Sequence, residues 1–173
     1  MLKNPLFGVP IKFGTIGGAM FILMFCITYG IDKNPLIDLK FFDFILIPIF
    51  LFTAMKEYKD YRNNGILHFW QGMTVGVGTY LLMAAVSAFF VTIFLTLIDP
   101  AVIDQYISSR LEMLEGKQAE MVEMMGQSTY TKTRDDLINT SAGILALDDF
   151  LKKCLIGLLL TIPIAVILRR REL

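Results

Sequence analysis

One histidine and two cysteines are all that the chain holds of the side chains that most often bind metals or relay protons. Histidine-rich metal sites and two-histidine relays are therefore excluded, and no zinc-type spacing exists. Neither sign of charge is in excess. Sixteen Lys and Arg balance 16 Asp and Glu, so no bulk field draws in nucleic acid. The acidic residues lack the D-x-D-x-D-G spacing of a calcium loop, and no serine has a partnered base nearby in the chain. Gly14, Gly17 and Gly18 open an apolar run, the wrong context for a phosphate-cradling loop. What remains is apolar: 55% of residues are hydrophobic and mean hydropathy is +0.60, to the apolar side of the roughly 45–50% usual in soluble domains.

The apolar residues gather in four stretches, about 13–31, 41–58, 73–98 and 147–168, with charged stretches between them. A hydrocarbon layer of roughly 30 Å takes about 20 helical residues. The pattern predicts an all-α integral membrane protein, a four-helix bundle forming one membrane domain over 1–173, with a helical extramembrane loop at about 99–146. The third stretch is uncharged from Thr74 to Ile98 and spans with some tilt. In the second, Asp43 and Lys56 bracket only Phe44–Met55, so it spans if Lys56 snorkels and Asp43 sits at the opposite headgroup layer. The fourth is preceded by Asp148, Asp149, Lys152 and Lys153. These form two acid-first i,i+4 pairs that partly neutralise each other at the membrane surface, and the helix is expected to begin in water near Gly143 to Asp148.

Basic residues counted close to the helix ends set the orientation. Lys3, Lys12, Lys56, Lys59, Arg62 and Arg169 to Arg171 fall on one side, Lys33, Lys40, Lys152 and Lys153 on the other, which places both termini in the cytoplasm. The first stretch reads as a retained anchor, because Ile27-Thr28-Tyr29-Gly30 is a poor cleavage context and Phe25 precedes Cys26 where a lipoprotein signal requires a small residue. Cys26 and Cys154 lie at different places in their helices, which argues against a bridge.

In lipid, helices associate through close packing of small residues. Gly14 and Gly18 form one GxxxG and Gly72 and Gly76 another, both at the cytoplasmic ends of parallel helices, so the two faces are expected to pack directly on each other. Pro48 and Pro163 are expected to bend their helices. In the loop, Ile103, Ile107, Leu111, Leu114, Met121 and Met125 recur at helical spacing over 101–126, with Gly116 a weak point and Gly126 a stop. The polar face is mainly acidic, unlike a membrane-surface helix, which favours a protein contact through Leu114, Met121 and Met125, to a partner or a second copy. Thr133-Arg134-Asp135-Asp136 has the form of a capping box for a second loop helix.

His68, beside Phe69 and Trp70, fits an interfacial belt. The segment from Lys56 to Arg62, with Tyr58 and Tyr61, continues the second helix as a cytoplasmic cap. Asp43 is the candidate ion or proton site, since an acid near the lipid core is costly and often marks a path, with Lys40 a simple partner.

Lys12-Phe13-Gly14 with Gly17-Gly18, Lys56-x-Tyr58-Lys59-Asp60, Phe69-x-x-Gly72, Asp99-Pro100 and the closing basic cluster together span nearly all the chain. In this layout the protein resembles a bacterial inner-membrane group, the domain-of-unknown-function 4199 family. The resemblance implies four membrane helices with a long loop between the third and fourth, and it carries no catalytic or binding residue with it. The resulting expectation is a non-enzymatic accessory or assembly subunit of the bacterial inner membrane, without a cofactor. The alternative is a small transporter or ion-pathway subunit using Asp43.

Overall fold

A computed structural model describes residues 5–38 and 40–170, and at Lys40 and Asp43 the backbone alone. Among these residues the regular elements are all helices: α1 (Pro5–Gly30), α2 (Pro35–Asp38), α3 (Lys40–Glu57), α4 (Phe69–Ile93), α5 (Ala101–Gly116), α6 (Gln118–Met125), α7 (Gln127–Ile138) and α8 (Ala142–Leu168). Five-residue π-helical turns extend α3 over Tyr58–Arg62 and α4 over Phe94–Ile98. Three helices are long and apolar enough to cross a bilayer: α1, α4 with its extension, and α8. The second apolar stretch does form a helix, but α3 is not one of the three. Its 18 residues reach about 27 Å at 1.5 Å per residue, and Lys40, Asp43, Lys56 and Glu57 occupy its two ends.

The described residues divide into two compact units, one built from the chain up to Phe90 and from Leu147 on, the other from Val91–Ala146. The first holds two apolar clusters. Val9, Ala54, Met55, Leu67, Val75 and Ala165 form one; Phe21, Ile47, Leu51, Tyr80 and Met83 form the other. At one end, α1 and α3 are joined by Lys12 and Glu57, 2.7 Å apart. Nearby, the turn between α3 and α4 uses the left-handed residues Asn64 and Gly65. That turn is fastened twice: Leu67 and Arg170 exchange backbone hydrogen bonds of 3.0 Å, and Asn63 donates to the carbonyl of Ile66 and to Gln71 Oε1. Tyr58 is buried in the π-helical turn and Tyr61 is exposed, so the expected cap after α3 has one tyrosine facing each way. Pro48 and Pro163 lie inside helices that continue past them, as membrane prolines do where neighbours and local adjustments absorb the missing donor.

In the second unit α5 and α6 both pack on α7. Gly116 ends α5 and Gly126, at φ +82, separates α6 from α7, both where the glycine positions suggest. The expected capping box is not one. Gly126 precedes α7, which is already two turns old at Thr133, and the Thr133 hydroxyl donates to the Thr129 carbonyl inside the helix. The local Thr-x-x-Asp pattern loses to a stronger signal seven residues earlier, a glycine whose left-handed backbone sets where the helix begins.

Candidate functional site

The first unit is organised by two seams, each a row of residues spaced four apart, the natural ridge of a helix surface. Along the parallel pair α1 and α4, Pro10 faces Gly78, Gly14 faces Leu82 and Gly18 faces Val86. Along the antiparallel pair α4 and α8, Gly72 faces Ala165, Gly76 faces Thr161, and Tyr80 lies on Gly157. A Cβ added to Gly72 would stand 3.0 Å from Ala165 Cβ, and one on Gly76 2.6 Å from Thr161 Cγ2. Both motifs do mediate packing, but the expected contact of one glycine face on the other does not occur. Gly14 is level with Leu82, about ten residues beyond Gly72 and six beyond Gly76 along α4, so those two glycines fall below it and serve α8 and Met55 instead.

Continuing the α4–α8 register for two more steps sets Ala84 opposite Lys153 and Ala88 opposite Asp149. There the seam becomes charged. Lys153 Nζ donates to both oxygens of Asp149, four residues earlier on α8. Ser87 Oγ lies 3.5 Å from Asp149 Oδ2, at the long limit of a hydrogen bond, and the ammonium sits 4.8 Å from the centroid of the Phe21 ring on α1. Three helices thus meet at one ion pair. Its two members differ in access: the Lys153 side chain is 5% exposed and that of Asp149 24%.

A second pair, Lys152 with Asp148, is formed one residue earlier on each side, with the lysine 48% exposed. Both acid-first pairs are therefore made as their spacing predicts, yet only one is a surface pair. A helix turns 100° per residue, so 148 and 152 face outward while 149 and 153 face the seam. The Lys153 ammonium is stabilised there by the carboxylate and by the negative face of the Phe21 ring. Breaking such a pair by removing one partner is costly, because charge pairing is what offsets desolvation in an apolar setting.

The signal for this site was in the sequence, though not in the local charge pattern. Asp149, Lys153, Gly157, Thr161 and Ala165 form one four-residue row of small and polar side chains in an otherwise Leu- and Ile-rich helix. A row of that kind marks the packed face of a membrane helix. Asp43, singled out earlier, has its side chain outside the described residues, and so has its suggested partner Lys40; Lys3 and Arg171, used in the orientation count, also lie outside them. Cys26 and Cys154 are free thiols, and His68 is exposed.

In the second unit a groove of about 560 Å³ runs between α5, α6, α7 and the start of α8, lined by the apolar Met113, Leu114, Met121, Leu137 and Ile144 and by the charged Arg110, Lys117 and Asp136. Leu114 is buried and lines the groove together with Met121. Met125, 40% exposed, is not part of the lining. The Arg110 guanidinium stacks 5.4 Å from the centre of the Tyr106 ring.

A family model described as Protein of unknown function (DUF4199) matches residues 12–170. The chain belongs to that family. No curated protein and no solved structure matches it.

Proposed function

We propose that this member of the DUF4199 family is a multi-pass protein of the bacterial inner membrane, acting as a non-enzymatic accessory or assembly subunit. In this reading α3 is the fourth spanning helix, shorter than the others, with Lys56 snorkelling to the headgroups. An even number of crossings and the basic residues Lys12, Lys59, Arg62, Arg169 and Arg170 then put both termini in the cytoplasm. Single cysteines placed on a cysteine-free background test this. Labelling by an impermeant maleimide in intact cells is expected at residue 120 and absent at residue 60, and the reverse pattern would overturn the orientation.

The observation that carries the accessory role is the groove of the 91–146 unit. Its size falls within the range of roughly 300–1,000 Å³ usual for binding sites, its walls are apolar and methionine-lined, and methionine adapts to irregular partners. A partner's amphipathic helix with an apolar face for the methionines, and with charges of both signs to meet Arg110, Lys117 and Asp136, has the matching chemistry. Met121→Glu puts a negative charge into the apolar lining. Crosslinked complexes purified from wild-type cells are expected to contain a partner that is missing from the Met121→Glu preparation at equal membrane content. Identical complexes from both, or none from either, would refute the role.

A further inference from the structure

We propose that the groove of the 91–146 unit binds a single-chain amphiphile with a carboxylate head, a long-chain fatty acid, and that Arg110 holds the head. This goes beyond the partner reading and does not depend on it.

The guanidinium of Arg110 is short of acceptors. Among the described residues its Nε is buried without a hydrogen-bond partner, and its Nη1 donates to the Met113 thioether at 3.9 Å, a weak acceptor. The Tyr106 ring steadies the cation through its face and supplies no oxygen to the buried nitrogen. Glu115 on the same helix is engaged with Arg134 of α7, 3.8 Å away. Asp136 shares the lining of the groove but forms no ion pair with Arg110 among the described residues. A buried donor left unmade is costly. The group that answers a guanidinium best is a carboxylate, which takes two parallel N–H donors at once. Met113 is 56% exposed and unbranched, so its sulfur swings off as a carboxylate oxygen arrives.

The rest of the groove selects what the carboxylate is attached to. Its volume of about 560 Å³ is walled by methionine, leucine and isoleucine, which suits a flexible apolar chain. Its charged lining is two cations, Arg110 and Lys117, against one anion, Asp136. One positive charge is therefore left over, and a single carboxylate neutralises it. A phosphomonoester, with a charge of about −1.5 to −2 at neutral pH, overfills it, and an uncharged lipid leaves Arg110 unanswered.

The chain enters this unit from α4 and leaves it along α8, whose apolar stretch begins at Leu147, three residues after Ile144 of the groove. Fatty acid dissolved in the bilayer that those helices are proposed to cross is the source at hand. That source, unlike the binding itself, rests on the membrane reading above. An amphiphile seated in the groove excludes a partner's helix from it, so the ligand would also set how much of the protein is free to dock.

Purified protein in lipid nanodiscs, illuminated with a diazirine-bearing palmitic acid, tests the proposal. Wild type is expected to be labelled saturably within residues 110–144, with unlabelled palmitate displacing the probe and hexadecanol, the same chain without the carboxylate, failing to. Arg110→Met removes the buried donor together with its charge. It is expected to lower labelling by about tenfold or more, as the loss of a charged hydrogen bond does, with the unfolding midpoint unchanged or raised. Met121→Trp, which fills the groove and keeps Arg110, is expected to lose labelling while eluting as a single species. Unsaturable labelling of wild type, displacement by hexadecanol as strong as by palmitate, or wild-type labelling in either variant would overturn the proposal. So would lysophosphatidic acid displacing the probe at lower concentration than palmitate. None of these outcomes decides whether a partner is crosslinked in cells, so the two readings fail separately.

Discussion

Asp149→Asn is expected to lower the stability of the detergent-solubilised protein by about 3–5 kcal/mol, the cost of stranding one member of a buried pair. The loss arises at Lys153. Its side chain is 5% exposed, bonded to both oxygens of Asp149 and held against Phe21. The amide of Asn keeps the shape of the carboxylate and can still accept a hydrogen bond, so the penalty reports the loss of the Asp149 charge beside a sealed ammonium. For a fold of ordinary stability, about 5–15 kcal/mol, this is a large fraction of the whole. Replacing both residues, Asp149→Leu with Lys153→Met, removes the stranded charge, and the expected change is between neutral and a gain of about 1–4 kcal/mol. Asp148→Asn is the outward control: its partner Lys152 is 48% exposed, and an exposed pair contributes about 0–1 kcal/mol. Unfolding followed by circular dichroism during titration into a denaturing detergent would order the variants. Asp149→Asn unfolding with wild type, or the double variant falling as far as the single one, would show that the pair is not sealed.

The contrast between the two adjacent ion pairs also marks how far the sequence could be read. Four apolar stretches, the weak point at Gly116, the stop at Gly126 and the two acid-first pairs on α8 were all legible, because each is set by residues within a few positions of one another. The burial of Lys153 was not, since it depends on which side of α8 meets α4. In a soluble helix the apolar stripe would answer that question. Here the helices are apolar all round, and that stripe carries no information. What does distinguish the faces is the row of small and polar residues from Asp149 to Ala165, matched on α4 by Gly72, Gly76, Tyr80, Ala84 and Ala88. The glycine pairs gave the right kind of contact with the wrong partners for a related reason. A GxxxG motif reports that another helix comes close, while the axial offset between helices is set by all their contacts together, here including Pro10 on Gly78 and Phe25 edge-on to Phe90. The capping box failed because a local pattern has no force once a helix has already started upstream.

Gly18→Ala is expected to destabilise the bundle by about 1–3 kcal/mol, the usual cost of overpacking, although the same change in an open helix is favourable. A Cβ at this position would lie 2.6 Å from Val86 Cβ. That atom is fixed to the α4 backbone, and valine has little rotamer freedom in a helix, so no side-chain movement relieves the clash and the two helices must part. Parting is shared along the seam, since a Cβ added to Gly14 would stand 2.7 Å from Leu82 Cβ in the same register. Gly17 provides the internal comparison. Its added Cβ would meet the Met83 side chain at Cε, Cγ and Sδ, and an unbranched thioether adjusts more readily than a valine Cβ, so Gly17→Ala is expected to cost less than Gly18→Ala. Gly116 provides the external one: nothing lies within 4 Å of its added Cβ, and Gly116→Ala is expected to gain up to about 1 kcal/mol from helix propensity. The same detergent titration reads all three. If Gly18→Ala stabilised the protein as Gly116→Ala does, α1 and α4 would not be in backbone-close contact. Phe21, which α1 carries one turn beyond Gly17 and presents to Lys153, would then lose the support that holds it over the ion pair. The stability of a glycine seam and the sealing of the charge beneath Phe21, three residues beyond Gly18 on α1, are in this way one mechanical question.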